Sequence, residues 1–245
     1  DWNDLGNKHI AGGYYSYFRN VEYNEDWMQE TYTNCYLGIN KACVFLKYIH
    51  MNTQLTEEER LDYAAQARFV RAYYYWLLLR KYGPIPLIPD AGEDYTQDYD
   101  ALARPRNTYD ECVDYIVAEF EEAAIHLEQE RSTAYLGMAT KGAALAARAK
   151  VLLYAASPLY NGNHDLFELK DEAGNPLINQ NYDERKWARA AAAAEEVINT
   201  GWYELYTVPV SEETVLPPAE VRSREFPYGC GGIDPYESYR QLFNG

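Results

Sequence analysis

No run of about 18 apolar residues occurs in this sequence, so nothing in it reads as a membrane-spanning helix. Positive charge is scarce as well. Lys and Arg number 22 against 38 Asp and Glu, giving a formal net charge of −16 and a pI near 4.6. This argues against a nucleic-acid partner, which needs clustered cations for its phosphates, and against adsorption to an anionic membrane surface. The four cysteines, Cys35, Cys43, Cys112 and Cys230, form no C-x-x-C pair, which argues against a zinc or thioredoxin-type centre. Cys35 and Cys43 fall on one helix, where eight residues rise about 12 Å, too far for a disulfide. Both are expected to be buried thiols. The histidines, His9, His50, His126 and His164, are isolated. No G-x-S-x-G, H-E-x-x-H, Walker A or G-x-G-x-x-G pattern occurs. No catalytic residue, metal or cofactor is therefore expected, and the chain does not read as an enzyme. Its first residues, DWNDLGNKHI, lack the basic and apolar regions of a signal peptide. Either the protein is intracellular or a targeting segment has been removed.

What is present is enough for a sizeable core: 47% of the 245 residues are apolar. Aromatic usage is skewed, with 25 tyrosines and five tryptophans against seven phenylalanines. Tyr and Trp join an apolar ring to a polar tip. That suits carbohydrate faces and interfaces, and equally amphipathic packing at helix ends.

Periodicity predicts an all-α fold of tetratricopeptide-like helical hairpins with long loops, and strand below about 10% of residues. One helical domain is expected over 1–245: an irregular segment 1–26, helical hairpins over 27–206, and a loop-rich 207–245. The first helix spans 27–49 on Trp27, Tyr32, Cys35, Ile39, Cys43 and Leu46. The second opens with a capping box, Thr56-x-x-Glu59, and carries Leu61, Ala65, Phe69, Ala72, Trp76 and Leu79 until Gly83-Pro84 ends it. A loop, 89–106, follows with Glu93, Asp94, Asp98 and Asp100. It lacks calcium-loop spacing and reads as solvated. The third helix starts at a second capping box, Thr108-x-x-Glu111, with Val113, Ile116, Phe120, Ala123 and Leu127 on its apolar face. The fourth, from Thr140 to Ala156, is alanine-rich and suits close helix contacts. Residues 165–178 read as two extended pieces around the turn Glu172-Ala173-Gly174-Asn175. The fifth helix is capped by Asp183, presents Trp187, Ala191, Ala194 and Ile198 on one face, and ends at Gly201.

Residues 66–88, QARFVRAYYYWLLLRKYGPIPLI, carry the most specific signal. They resemble the helix and exit loop of the SusD/RagB family. Four other ordered stretches match it. These are Trp27-x4-Tyr32-x6-Ile39-Asn40; Arg106-x-Thr108-x-x-Glu111 with its stripe; Gly137-Met138-Ala139-Thr140-Lys141-Gly142 running into Ala155-Ala156-Ser157-Pro158-Leu159-Tyr160-Asn161; and Tyr182-Asp183-x3-Trp187 with Gly201-x-Tyr203-x-Leu205-Tyr206. Family members usually carry Arg where Met138 stands. The resemblance implies a SusD-like α-α superhelix and a lipid-anchored nutrient-binding protein of the outer-membrane surface. Such a protein captures oligosaccharides, or in some branches peptides, for a SusC-like TonB-dependent transporter. Family members are longer, so this chain is expected to be a fragment, and the lipid anchor is absent from it.

Two expectations concern side chains. At least one of Arg68 and Arg71, set one turn apart within an apolar stripe, is expected to be part-buried and paired, in a structural role. Aromatics without a core stripe cluster before the first helix: Trp2, Tyr14, Tyr15, Tyr17 and Tyr23, with Asn24 and Asp26 among them and Trp27 at the helix start. These eight are the candidate glycan contacts. The alternative is that their rings pack on another part of the protein or on the transporter. A rival reading is an intracellular tetratricopeptide scaffold that binds peptides in its groove. It does not explain the long loops or the YGPIPLI and ASPLYNG exits.

Overall fold

Both capping boxes close reciprocally, and they set where two of the long helices begin. The Thr56 hydroxyl accepts the Glu59 N–H at 3.2 Å while the Glu59 carboxylate accepts the Thr56 N–H at 2.8 Å. Thr108 and Glu111 repeat the pair at 3.2 and 2.8 Å. The computed structural model describes residues 25–94, 96–215 and 231–244, with side chains for those between 31 and 243. The helices are α1 (Glu25–Tyr48, closed by a 3-10 turn Ile49–Met51), α2 (Glu57–Tyr82), a short α3 (Tyr99–Leu102), α4 (Tyr109–His126), α5 (Lys141–Ala156), α6 (Arg185–Asn199) and α7 (Pro235–Asn244). The strands β1 (Val208–Pro209) and β2 (Ile233–Asp234) pair antiparallel, Val208 opposite Asp234. The chain divides into two compact units, one ending at Val197 and the other beginning at Ile198.

In the first unit, α1 and α2 form one antiparallel hairpin and α4 and α5 the next, with α2 packed on both α1 and α4. That position explains why α2 is buried on more than its predicted stripe. Ala65, Ala72, Trp76 and Leu79 are buried as expected, and Arg71, Tyr75 and Leu78 join them. Leu61, at the exposed start, is not buried. α4 lies between α2 and α5, so its predicted face is buried together with Cys112, Val117 and Ala124. On α5 the alanines do what small residues allow: Ala144, Ala155 and Ala156 are buried. Cys35, Cys43 and Cys112 are buried free thiols, and burial pushes the Cys112 thiol up to about 11. Cys230 lies outside the described residues.

A side-chain clamp joins the two hairpins. Gln66 donates to the Ala139 carbonyl at 2.7 Å and accepts the Ala139 N–H at 2.8 Å. Arg131 donates to the same carbonyl and forks onto Asp62 at 2.9 and 2.6 Å. Replacing Gln66 by alanine leaves the Ala139 N–H unpaired in a part-buried site. The expected loss is about 1–3 kcal/mol, read by urea denaturation.

The structure departs from the sequence reading in three places. On α6 the buried positions are Ala190 and Ala193, whereas Trp187 (41% exposed), Ala191, Ala194 and Ile198 (75% exposed) face outward. Ion pairs turn the helix: Lys186 meets Asp110 at 2.5 Å, Arg189 meets Asp114 at 2.9 Å, and Arg148 of α5 meets Glu196. Residues 207–245 are not all loop, since they hold β1, β2 and α7. The start of α7 is capped by Asp234, which accepts the Glu237 N–H at 2.8 Å, with Pro235 in the first helical position where a missing N–H costs nothing. The 89–106 loop contains α3, while 165–178 closes through a single bridge, Lys170 opposite Pro176.

Candidate functional site

α2 stops at Gly83, whose φ of +71° suits a residue without a Cβ. The chain then runs extended, and its backbone polar groups need partners outside any sheet. Side chains of α1, of α2 and of the residues just before α4 supply them. The Tyr36 hydroxyl donates to the Pro86 carbonyl at 2.7 Å, the Asn107 amide oxygen accepts the Leu87 N–H at 2.9 Å, and the Tyr75 hydroxyl accepts the Ile88 N–H at 3.0 Å. The Ile85 carbonyl accepts the Asn107 N–H at 3.0 Å and the Cys112 thiol at 3.4 Å. Burial pushes the Tyr36 and Tyr75 hydroxyls up from their ordinary range, so these tyrosines belong to the packing.

Farther along, Asp90 meets Arg71 at 3.2 Å and accepts the Tyr115 hydroxyl at 2.8 Å. Gly92, at φ +81°, sits where a Cβ would come within 2.8 Å of the Asn40 amide oxygen, and that oxygen accepts the Glu93 N–H at 2.7 Å. Residues 84–93 are therefore a strap lying in the trough where α1 and α4 flank α2. Beneath it, Arg71 donates twice to Glu119 at 2.9 and 2.6 Å and once to the Cys43 sulfur at 3.4 Å, while Arg68 takes the other Glu119 oxygen at 2.8 Å. The side chains of Arg71 and Glu119 are 2% and 8% exposed. Both arginines are paired, and Arg71 is the buried one.

Helix direction gives the two long connections a common end. α2 finishes and α4 starts there, joined by 83–108; α5 finishes and α6 starts there, joined by 157–184. α1 starts there too: Lys81 reaches Thr31 at 3.3 Å and the Tyr32 ring meets Tyr82 edge-on at 5.3 Å. The second connection is held over the start of α4, with Tyr109 stacked on Tyr160 at 3.9 Å and its N–H donating to the Leu177 carbonyl at 2.8 Å. The Asn161 side chain clamps Asp183 from both sides, accepting its N–H at 2.8 Å and donating to its carbonyl at 3.0 Å. Hydrogen bonds from Arg185 hold the Asp183 carboxyl down at about 2.

A cleft of about 350 Å³ opens between α4, α5 and α6. Its floor is Val113, Leu152 and Ala155, and the Lys186–Asp110 and Arg189–Asp114 ion pairs edge it. No aromatic ring lines it, and these four charges are engaged with one another. That is the chemistry of a helix seam, not of a sugar platform. Among the described residues, no group of three or more His, Cys, Asp or Glu stands together to hold a metal, and no helix is long and apolar enough to cross a membrane.

Of the eight candidate glycan contacts, Asp26 and Trp27 fall in the first turn of α1, at the end where the long connections meet. Their side chains lie outside the described residues, as do Trp2, Tyr14, Tyr15, Tyr17, Tyr23 and Asn24 altogether. One aromatic that the sequence reading passed over stands out. Tyr99, on α3, is 85% exposed. A ring inside an acidic loop has no periodicity to mark it.

The model of a family of SusD-like proteins, described as starch-binding and associating with the outer membrane, matches residues 4–153. The curated SusD-like protein P25 of Formosa agariphila is 25% identical over 127 residues, which are 51% of this chain and 23% of that protein. The solved structure of BT4246 is 29% identical with a TM-score of 0.67, covering 75% of this chain and 34% of its own. A SusD-like protein of Bacteroides fragilis (BF3747) shares the fold at 17% identity and a TM-score of 0.55, over 84% of this chain and 39% of its own. The chain thus spans well under half the length of each of these relatives.

Proposed function

The chain belongs to the SusD-like family, and on that premise we propose that it is the helical part of a cell-surface nutrient-binding protein. The whole protein captures oligosaccharides and delivers them to a SusC-like TonB-dependent transporter, held at the outer membrane by a lipid anchor. It acts by binding, without catalysis. The observation that carries this reading is the family match over 4–153, whose description names starch and the outer membrane. The fold agrees with it: the YGPIPLI and ASPLYNG segments serve to fix long connections at one end of the helical stack, which leaves ligand contacts to the loops.

The rival, a tetratricopeptide scaffold with peptide in its groove, meets an obstacle in the strap. Residues 84–93 fill the trough over α2 with a segment of the chain itself, tied down by Asp90 and Glu93. An incoming peptide would have to displace an ion pair to the buried Arg71.

The test is calorimetric titration of the full-length protein with maltoheptaose, a panel of other neutral oligosaccharides and a peptide library. Binding of a glycan is expected. Against the best of them, at least one of Trp2→Ala, Tyr15→Ala, Tyr23→Ala and Trp27→Ala is expected to weaken affinity about tenfold, as loss of an aromatic anchor does. Unchanged affinity in all four, with folding intact, removes the segment before α1 from the site. Binding of peptides alone replaces the sugar reading.

A further inference from the structure

We infer that the turn at residues 96–104 is a contact point for a neutral glycan, with the ring of Tyr99 as its platform; this rests on the sugar-binding reading above. Three observations meet here. The first is exposure. Tyr32, Tyr36, Tyr75, Tyr109, Tyr115 and Tyr160 each pack against another ring. Tyr99 packs on none among the described residues and leaves 85% of its surface to solvent.

The second is fixation. Below the turn, the strap is tied to α1, α2 and α4 through Asp90 and Glu93. At its base, Arg104 closes on the Glu93 carboxylate at 2.6 and 3.3 Å. At its start, Asp94 accepts the Thr96 N–H at 3.1 Å, the Thr96 hydroxyl at 2.7 Å and the Gln97 amide at 3.2 Å. A ring carried on such a base is held before any ligand arrives, so less ordering entropy is lost on binding.

The third is the chemistry of the flanks. Asp98 and Asp100 stand on either side of Tyr99, both exposed, and no side-chain hydrogen bond or ion pair engages either among the described residues. An aromatic face accepts the C–H side of a pyranose, and free carboxylates accept its hydroxyls. The same carboxylates, on a chain of net charge −16, repel a polyanion, which selects neutral glycans over uronate or sulfated ones.

The experiment uses the full-length protein and titrates maltoheptaose and the neutral panel against Tyr99→Ala and Tyr99→Phe, with polygalacturonate as the anionic probe. Tyr99→Ala is expected to weaken binding of the neutral ligand about tenfold, while Tyr99→Phe, which keeps the ring, stays within about twofold. Polygalacturonate is expected not to bind. Wild-type glycan binding with unchanged affinity in Tyr99→Ala overturns this inference and leaves the family reading intact. A fall in melting temperature of Tyr99→Ala with unchanged affinity overturns it equally, because the ring then packs on the remainder of the protein. Preference for polygalacturonate overturns the neutral class. Failure of the wild type to bind any glycan overturns both readings.

Discussion

Arg71→Ala is expected to destabilise the helical stack by about 3–5 kcal/mol, the loss typical of breaking one side of a buried ion pair. Glu119 loses two of the three hydrogen bonds that hold its carboxylate, and its side chain is only 8% exposed. Arg68 keeps one oxygen, but it is 34% exposed and cannot replace a guanidinium fork. Asp90 loses its ion pair as well, so the strap should loosen together with the core. Urea denaturation measures the loss. An Arg71→Met/Glu119→Leu pair should recover most of it, because the penalty lies in the charge left unpaired and not in the missing attraction. Glycan affinity of the folded Arg71→Ala protein should fall only modestly, through the loosened strap beneath Tyr99 and not through a lost contact, since each of the Arg71 donor groups is already turned to Glu119, Cys43 or Asp90. Wild-type stability with abolished binding would place Arg71 in the ligand site instead.

How much of this was legible in the sequence depends on the range of the interactions. The capping boxes at Thr56 and Thr108 are three-residue events, and both formed. The stripe on α4 was legible because alternation with charge gave contrast. Arg71 could be read as buried and paired from its place in an apolar stripe, but nothing local named Glu119, 48 residues away. The YGPIPLI exit was recognisable as a stop; its partners Tyr36 and Asn107 lie 50 and 20 residues away in the chain. On α6, alanine covers every side, so the two large residues, Trp187 and Ile198, dominated the reading. The face that is buried was instead set by Lys186, Arg189 and Glu196 reaching charges on α4 and α5. α7 was missed although Asp234-Pro235 is a start signal, because Pro and Gly crowd the stretch before it. For the ligand site, composition pointed to the segment before α1, while the exposed ring on α3 became visible only once the folded chain showed which aromatics have partners.

Gly162 is the second position where a small change should have a large effect. Its φ is +80°, and a Cβ there would stand 2.9 Å from the Tyr182 backbone nitrogen and 3.0 Å from the Tyr182 Cα. Two penalties add in Gly162→Ala. A left-handed conformation strains any L side chain, and the obstructing atoms are backbone, which cannot swing aside as a side chain would. The expected cost is about 2–5 kcal/mol, strain plus overpacking. Gly174 is the control: its φ is +85°, but nothing lies within 4 Å of its Cβ position, so Gly174→Ala carries the strain alone, about 1–2 kcal/mol. The difference between the two, measured by urea denaturation, isolates the close approach of the two connections. That approach sets the start of α6. If Tyr182 is pushed back, Asp183 moves with it and the two-sided clamp from Asn161, itself 4% exposed, opens. A buried amide then keeps only its 3.4 Å bond to the Ala156 carbonyl, and Asp183 no longer holds the first turn that places Lys186 against Asp110. Gly162→Ala should therefore weaken α6 specifically, with amide hydrogen exchange rising over 185–197 while 109–126 stays protected. Equal costs for the two glycine variants would mean that Tyr182 can move freely and that the clamp does not fix α6.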